Sequence, residues 1–480
     1  MGTTSQNGNG NGCKPHFTST TYPSHCLRFL DKVNGAATTD KSPPQAQLKL
    51  DIVIVGAGLG GLATAIALAR RGHKVTVLEQ APAFGEVGAG IQIPPNSGRL
   101  LYRWGVMEDL GPLAVRPDGI SFRRWESGKV IGFTDLSSDF SSMYGTPYYV
   151  VHRAHFHEAL ASRVAELGVQ VRLNCKVVQY DEPSASVNLQ DGTTLRGDLV
   201  VAIDGVKSTA RALLPAGDSA IPRSTGLSAY RTTVDVAKMK EVPEMAWILE
   251  EPGLNIWIGE DRHVMTYTIA GGKSFNMVLS HPDKPGPPSP HPQIQEETLR
   301  DMQREYEDWD PQLVKVIGLA DRALRWPLMV SPPLRTWVGR NSRLVILGDA
   351  AHAMVPYMSQ GAAMAVEDGA ALAVAINELR TAKDLAFALR VFEKERIRRS
   401  SMMQEASMVN AMIWHFEDGP LQESRDAAMR VEVERKPFLS SPNQWSDPQT
   451  QMWAYGYDAE KVMEARWEKA VRKRDGVASF

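Results

Sequence analysis

Residues 48–79 read LKLDIVIVGAGLGGLATAIALARRGHKVTVLE. The opening run, Leu48 to Val55, is apolar, β-branched and stopped by Gly56. That pattern predicts a strand buried on both faces of a parallel sheet. Leu59 to Arg71 is rich in Ala and Leu and is followed by Gly72, which predicts a helix with a glycine C-cap. Val75 to Leu78 predicts a second strand, completing a βαβ unit whose crossover should be right-handed.

The turn between strand and helix carries GxGxxG, with glycines at Gly56, Gly58 and Gly61. The first glycine permits the tight turn, the second lets backbone approach a pyrophosphate, and the third lets helix pack on strand. The helix N-terminus then offers unpaired N–H groups and a positive dipole end to the phosphates. Glu79 ends the second strand 23 residues after Gly56, where a carboxylate accepts hydrogen bonds from a ribose diol and disfavours a 2′-phosphate. A solvated charge at a strand end is the plainer alternative for Glu79. The unit as a whole predicts a tightly held FAD or NAD.

Composition limits the remaining choices. The chain has 480 residues, 43% apolar and 22% charged, with 53 Lys and Arg against 55 Asp and Glu. A net charge of −2 lacks the basic excess of a nucleic-acid binder. Cys13, Cys26 and Cys175 make neither a disulfide framework nor a CxxC pair, which fits a reducing, cytoplasmic setting. The best apolar run, Leu59 to Ala69, is too short for a membrane span of roughly 18 or more residues. The N-terminus lacks the apolar core of a signal peptide, and Gln6 breaks the myristoylation pattern.

Further along, Arg153 to Leu167 places Phe156, Leu160, Val164 and Leu167 on one helical face. Short strands should follow from Val169 to Ile203, and an antiparallel sheet over residues 225–280. Residues 281–293 are Pro-dense, as in a loop. Arg343 to Leu347 predicts a buried strand ended by Gly348-Asp349. Gly361 to Leu379 predicts a helix of small residues, and the chain from about 385 onward is helical and charged.

Four motifs, taken together, resemble one family. They are GAGLGG with Glu79, GEVGAGIQIPPNSGRLL at 85–101, Asp204-Gly205 within VVAIDGVKSTAR at 200–211, and Gly348-Asp349-Ala350-Ala351-His352 running into Pro356 and Gln360-Gly361. In this order they resemble the single-component, class A flavin-dependent aromatic hydroxylases, particularly the fungal salicylate-hydroxylase-like monooxygenases. The resemblance implies an α/β fold. A Rossmann-like FAD-binding domain is interleaved with a mixed β-sheet substrate domain and followed by C-terminal helices. It implies an FAD-binding domain in three parts, 48–120, 146–222 and 336–384. A substrate-domain excursion at 121–145 and the substrate-binding β-sheet domain at 223–335 interrupt it. Residues 1–47 are expected to be a disordered extension, and 385–480 a C-terminal helical region.

The resemblance also implies roles for single residues. Asp349 binds the ribityl chain of FAD, a helix-capping role being its alternative. Gly361 and Ala362 open a helix whose N–H groups face the isoalloxazine N1–C2=O edge, where a positive helix end stabilises reduced flavin. Gly90 and Gln92 of the second motif, Arg153 at its helix start, and Pro356 lie at the cofactor, although a proline in a loop needs no such role. Asp204-Gly205 serves the FAD pyrophosphate and the passing nicotinamide nucleotide, or is a simple turn. There is no second strand–GxGxxG–helix unit, so NADPH or NADH is expected as a transient co-substrate. His152, His155 and His157 form a local cluster, but His155 and His157 are two apart and face different sides of a helix, so no metal is expected.

On the substrate side, Tyr230 and Arg231 match the family's substrate-facing pair. Successive strand residues face opposite ways, and Arg231 is the one expected to point inward. Its guanidinium suits a phenolate or carboxylate, with a solvated strand charge as the alternative. Glu86 is expected near the flavin, or as a loop residue contacting backbone. Trp257, Met265, Tyr267 and Met277 are candidate pocket liners or plain core. The implied reaction uses O2 and a flavin C4a-hydroperoxide to hydroxylate a small aromatic, or to epoxidise an indole. No Tyr–Tyr or His–Tyr constellation for phenol deprotonation is visible. A catalytically silent FAD- or NAD-binding protein, a flavin halogenase and an NAD dehydrogenase are competing readings. The C-terminal helices either cover the flavin domain or pair two subunits, leaving monomer and homodimer open.

Overall fold

The computed structural model describes residues 42–85, 89–215, 221–250, 253–283 and 296–476. Glu86 and part of the Pro-dense run fall outside the described residues. Among the described residues, five strands form a parallel sheet. In spatial order they are Leu344–Ile346 (β17), Leu199–Ala202 (β11), Asp51–Val55 (β1), Lys74–Leu78 (β2) and Gln170–Arg172 (β7). β1 sits between β11 and β2, so Val53 pairs with both Val200 and Thr76. Its Val and Ile side chains are buried on both faces, which is why this strand reads as a continuous apolar run rather than an alternating one.

Because these strands run parallel, their carboxyl ends share one edge of the sheet. Gly56 follows β1, Glu79 follows β2, Ile203-Asp204 follows β11, and Leu347-Gly348-Asp349 follows β17. Four strand ends from separate stretches of sequence are thus brought to one edge, where ligands of open α/β sheets bind.

Helix α1 (Leu59–Ala69) is buried nearly all round. It packs between the sheet and another helix built of small residues. That helix carries Gly369, where a Cβ would come within 2.7 Å of the Thr64 backbone. Chain packing begins earlier than Leu48. Ala46 is buried, its N–H donates to Arg71 O at 2.9 Å, and Gln45 Nε2 donates to Arg70 O at 2.9 Å. These bonds satisfy carbonyls left over at the end of α1.

A seven-stranded mixed sheet stands over the parallel one. Its order is Leu324–Val330 (β16), Arg223–Asp235 (β12), Ser274–Pro282 (β15), Arg262–Ile269 (β14), Gly253–Gly259 (β13), Gly119–Arg124 (β4) and Val130–Asp135 (β5). The early excursion joins it through a parallel β13–β4 pair, while the other pairs are antiparallel. Gly90–Ile93 (β3) pairs with Tyr149–His152 (β6). Val177–Asp181 (β8), Ser186–Leu189 (β9) and Thr194–Arg196 (β10) form a small meander. One face of the large sheet is closed by the helices Glu296–Glu305 and Pro311–Gly318, burying Trp257, Met277, Met302, Tyr306 and Leu313 together. Trp257 and Met277 are therefore core. The other face looks toward the parallel sheet and its helices.

The longer helices elsewhere are α2 (Pro95–Arg103), α3 (Arg153–Glu166), α4 (Gly361–Asn377), α5 (Leu385–Trp414), α6 (Pro420–Val433), α7 (Pro448–Tyr455) and α8 (Ala459–Arg474). The last four cover the chain's own core. Met463 of α8 joins the parallel-sheet cluster. Met403, Trp414, Met429, Trp445 and Tyr455 pack with Phe122 and Ile256 of the mixed sheet. No helix among the described residues is long and apolar enough to cross a membrane.

Candidate active site

At the first glycine turn, Gly56 has φ +107°, and a Cβ there would lie 2.6 Å from Ile203 O. A Cβ on Gly61 would lie 1.9 Å from Gly56 O, so helix and turn touch at the distance only glycine allows. A Cβ on Gly58 would meet no other part of the chain within 4 Å, and Gly58 caps α1 without a side-chain hydrogen bond. The first N–H groups of α1 thus face open space, as a pyrophosphate requires. Glu79 does more than the sequence shows: its two oxygens accept from Ala57 N and Ala81 N, each at 2.9 Å. Each oxygen keeps a lone pair for a ribose hydroxyl. His157 holds the turn from the other side, with Nε2 2.8 Å from Ala57 O. His152 caps α3 by accepting from Ala154 N at 3.2 Å.

The turn and the late corner are neighbours. Ile203 Cδ1 would lie 2.7 Å from a Cβ on Gly60 and 3.4 Å from one on Gly348, and Ala365 also touches both positions. A dinucleotide stretched from Gly58 to Asp349 therefore meets a continuous edge. The short helix Asp349–His352 opens at Gly348 without a side-chain cap. Asp349 instead lines a cavity of about 200 Å³, partly open to solvent. Arg211 fixes this corner by donating to Ala350 O at 2.9 Å and to Asp349 O at 3.3 Å.

The same cavity gathers most of the expected residues. Gly90, Gln92, Arg153, Arg231, Pro356, Gly361 and Ala362 line it with Asp349. Gly361 begins α4, whose preceding Gln360 makes no side-chain cap, so the helix end presents bare N–H groups. Gly90 is required by its neighbours, since a Cβ would come 2.4 Å from the Tyr267 ring. Gly90→Ala is expected to displace Tyr267 and distort this wall, and a flavin titration will show weakened or heterogeneous binding. Unaltered titration and thermal midpoint would contradict the geometry. Gln92 is held by Tyr148 OH at 2.5 Å and reaches Met265 Sδ at 2.9 Å.

Arg231 points inward, as strand alternation predicts. Its Nε is buried without a hydrogen-bond partner. Burial depresses its pKa, and the nearby Arg153 charge adds to the effect. A guanidinium in that state gains when an anion arrives. The expectation that Tyr230 acts beside it is corrected. Tyr230 faces the opposite side of β12, is 1% exposed, and stacks on His281 at 4.1 Å between ring centroids within the helix-covered core. Asp204 is not at the cavity either. It follows β11, accepts from Tyr180 OH at 2.8 Å, and has a pKa raised by burial.

Several residues of the site escaped the sequence reading. On β14 the alternation that brings Met265 and Tyr267 to the cavity also brings His263. Tyr357 lines the cavity, meets the His263 ring edge-on at 4.8 Å, and its hydroxyl lies 3.0 Å from Ser280 Oγ. A His–Tyr pair is therefore present. Burial raises the Tyr357 hydroxyl to about 12. The C-terminal region positions it, with Asn410 Nδ2 and Trp445 Nε1 donating to Tyr357 O at 2.9 and 3.0 Å.

A buried ionic group anchors the late corner. Asp368 on α4 accepts from Gly348 N at 3.1 Å and from His352 Nε2 at 2.7 Å. Arg396 of α5 donates to Asp368 at 2.8 Å and to Glu367 at 2.7 Å, and Arg399 reaches Glu367 at 3.0 Å. Burial alone would raise the Asp368 pKa, but His352 and Arg396 hold it below the usual range.

Known proteins agree with this arrangement. Residues 49–407 match the family described as FAD binding domain. The chain is 36% identical over 419 residues to the FAD-dependent monooxygenase OpS4 of Beauveria bassiana, covering 87% of this chain and 97% of that protein. It is 34% identical over 411 residues to 3-hydroxybenzoate 6-hydroxylase 1 of Aquipseudomonas alcaligenes, covering 85% and 97%. A solved salicylate hydroxylase substrate complex superposes with a TM-score of 0.71 at 25% identity, covering 88% of this chain and 98% of that one. The fold, the glycine turn and these likenesses converge: the chain belongs to the FAD-binding-domain family of FAD-dependent monooxygenases.

Proposed function

We propose that this monooxygenase inserts one oxygen atom of O2 into a small phenolic aromatic, held in the cavity between α4 and the mixed sheet. The observation that carries this reading is the pairing of two walls. Asp349, Gly361 and Ala362 form one, and Arg231, Met265 and Tyr267 the other. On this reading the α1 N-terminus and Gly58 hold the FAD pyrophosphate, Glu79 the ribose, and Asp349 the ribityl chain. Gly361 and Ala362 present N–H groups to the flavin ring, with Gly90, Gln92, Arg153 and Pro356 around it. Bound FAD, reduced by NADH or NADPH, supplies the oxygen-activating chemistry.

The chain's own residues bind and orient the ring. Arg231 draws in a phenolate or carboxylate, which relieves the cost of its buried, unpaired Nε. Met265, Val278 and Met354 line the cavity and keep water from the reacting carbon. The chemistry of the relatives, one of them a hydroxybenzoate hydroxylase, supports a phenolic substrate. Three cysteines make no disulfide framework, which suits a reducing cytoplasm.

The test is a visible spectrum of the purified protein, followed by NADH and NADPH oxidation with salicylate, 3-hydroxybenzoate, larger phenols and indoles. A phenol should accelerate nicotinamide oxidation and appear as hydroxylated product. Stimulation by indoles alone would refute the phenolic reading. Arg231→Ala should keep its flavin while product formation falls about 100-fold and hydrogen peroxide accumulates in its place. Unchanged coupled turnover would remove Arg231 from the site.

A further inference from the structure

The two faces of α5 carry different chemistry. Its inner face bears Arg396, Arg399 and Asn410, which hold Glu367, Asp368 and the Tyr357 backbone. Its outer face is exposed along most of the helix. The first half of that face presents Arg390, Lys394 and Arg398. The second half presents Met402, Met408 and Met412 around a single acid, Glu405. These residues recur at three- and four-residue steps, which places them on one side of the helix. From Arg390 to Met412 the side runs about 33 Å.

Neither half is satisfied within the chain. Among the described residues the ion pairs of α5 are made by Glu395, Arg396 and Arg399, and Arg390, Lys394, Arg398 and Glu405 have none. Like charges four residues apart on a helix repel, so the three cations gain from carboxylates brought beside them. At the other end, Met412 is 62% exposed. Met408 and Met412 border an open groove of about 570 Å³ that extends to Leu421. Of the acids lining it, Asp418 pairs with Arg124, while Asp261 and Glu417 are exposed and unpaired among the described residues. The face is therefore basic at one end, acidic at the other and apolar between.

We propose that a second copy of the chain docks on this face, its α5 lying antiparallel to the first about a two-fold axis between Ser401 and Met402. A two-fold contact is isologous: where one residue meets another, the second meets the first in return. In this register Arg398 of each copy faces Glu405 of the other. Lys394 faces Val409, one turn from that glutamate, and Val391 faces Met412. Arg390 comes to the groove and its Glu417. Charged pairs of this kind at the edges of a helix–helix seam fix partner and orientation, and the methionines between them leave water. A parallel pairing would set cation against cation. An anionic membrane surface matches the basic half but repels Glu405 and Glu417, and a basic peptide matches only the acidic half. A second copy, reversed, matches both.

Sedimentation velocity of the FAD-loaded full chain over a concentration series is the test, and the parent should form a dimer. Arg398→Glu and Glu405→Arg should each raise the dimer dissociation constant about 100-fold, because each sets like charges face to face at two symmetric places. Mixed in equal amounts, the two variants should pair with each other, since opposite charges then meet on both sides of the axis. The double variant Arg398→Glu/Glu405→Arg should pair with itself as the parent does. Circular dichroism and flavin content should be unchanged throughout, as both side chains are exposed. A parent that stays monomeric would overturn the proposal. So would single variants that dimerise as the parent does, which would put the contact on another face, or single variants that fail to pair on mixing. Binding of a monomeric parent to phosphatidylserine vesicles, lost in Arg398→Glu, would assign the face to a membrane surface instead.

Discussion

Asp349→Ala is expected to yield a folded protein that purifies nearly colourless. The late corner opens without a side-chain cap and Asp349 lines the cavity, so on the proposed reading the change removes a ligand for the flavin chain rather than a support of the fold. A carboxylate hydrogen bond to a hydroxyl contributes about 1.5–3 kcal/mol. Losing one or two at the ribityl chain corresponds to weakening FAD binding by roughly 100-fold or more. Flavin fluorescence titration measures this directly. Thermal unfolding of the apo forms should be nearly unchanged, because the neighbouring Arg211 bonds go to backbone oxygens. If the variant binds FAD as the parent does, the ribityl end lies elsewhere.

Arg396→Met should be the most destabilising of the changes considered. Arg396 is fully buried and bonds to both Glu367 and Asp368, which are themselves buried. Removing one partner of a buried ionic group costs about 3–5 kcal/mol, because the carboxylates lose their counter-charge without regaining water. Arg399 and His352 still face these carboxylates and limit the loss. The effect should reach the cofactor, since Asp368 also holds Gly348 N. Chemical denaturation and FAD titration should therefore both shift. The control is Arg300→Met, which breaks a pair with Glu296 whose members are 65% and 81% exposed. Such pairs contribute less than about 1 kcal/mol. Equal midpoints for the two variants would show that the buried group is not an anchor.

The comparison of these two sites explains what could be read early. Asp349 was visible because it belongs to a local pattern, an apolar strand followed by a Gly-Asp corner. Arg231 was visible for the same reason: a strand fixes alternate facing, so one of Tyr230 and Arg231 had to point inward. The sheet also sends Tyr230 into the packed core beneath the helices, and nothing in its immediate neighbours announces that a stacking partner, His281, waits there. Arg396 lies in a charged helix whose sequence looks solvated. His263 shares its alternation with Met265 and Tyr267, yet its partner His415 comes from the far end of α5.

The sequence by itself determined the parallel sheet, the glycine turn and the acidic or glycine corners that follow each strand. These depend on short-range sterics and on the burial period of a strand, which are written within a few residues. Only the tertiary structure decided which side chains share the cavity, which carboxylates are neutralised by Arg396 and Arg399, and that His263 meets His415. Those contacts join residues from separate elements, and they exist only because α5 and its successors dock across both sheets. Docking is set by shape and burial over whole surfaces, which leaves no periodic mark at the residues it brings together.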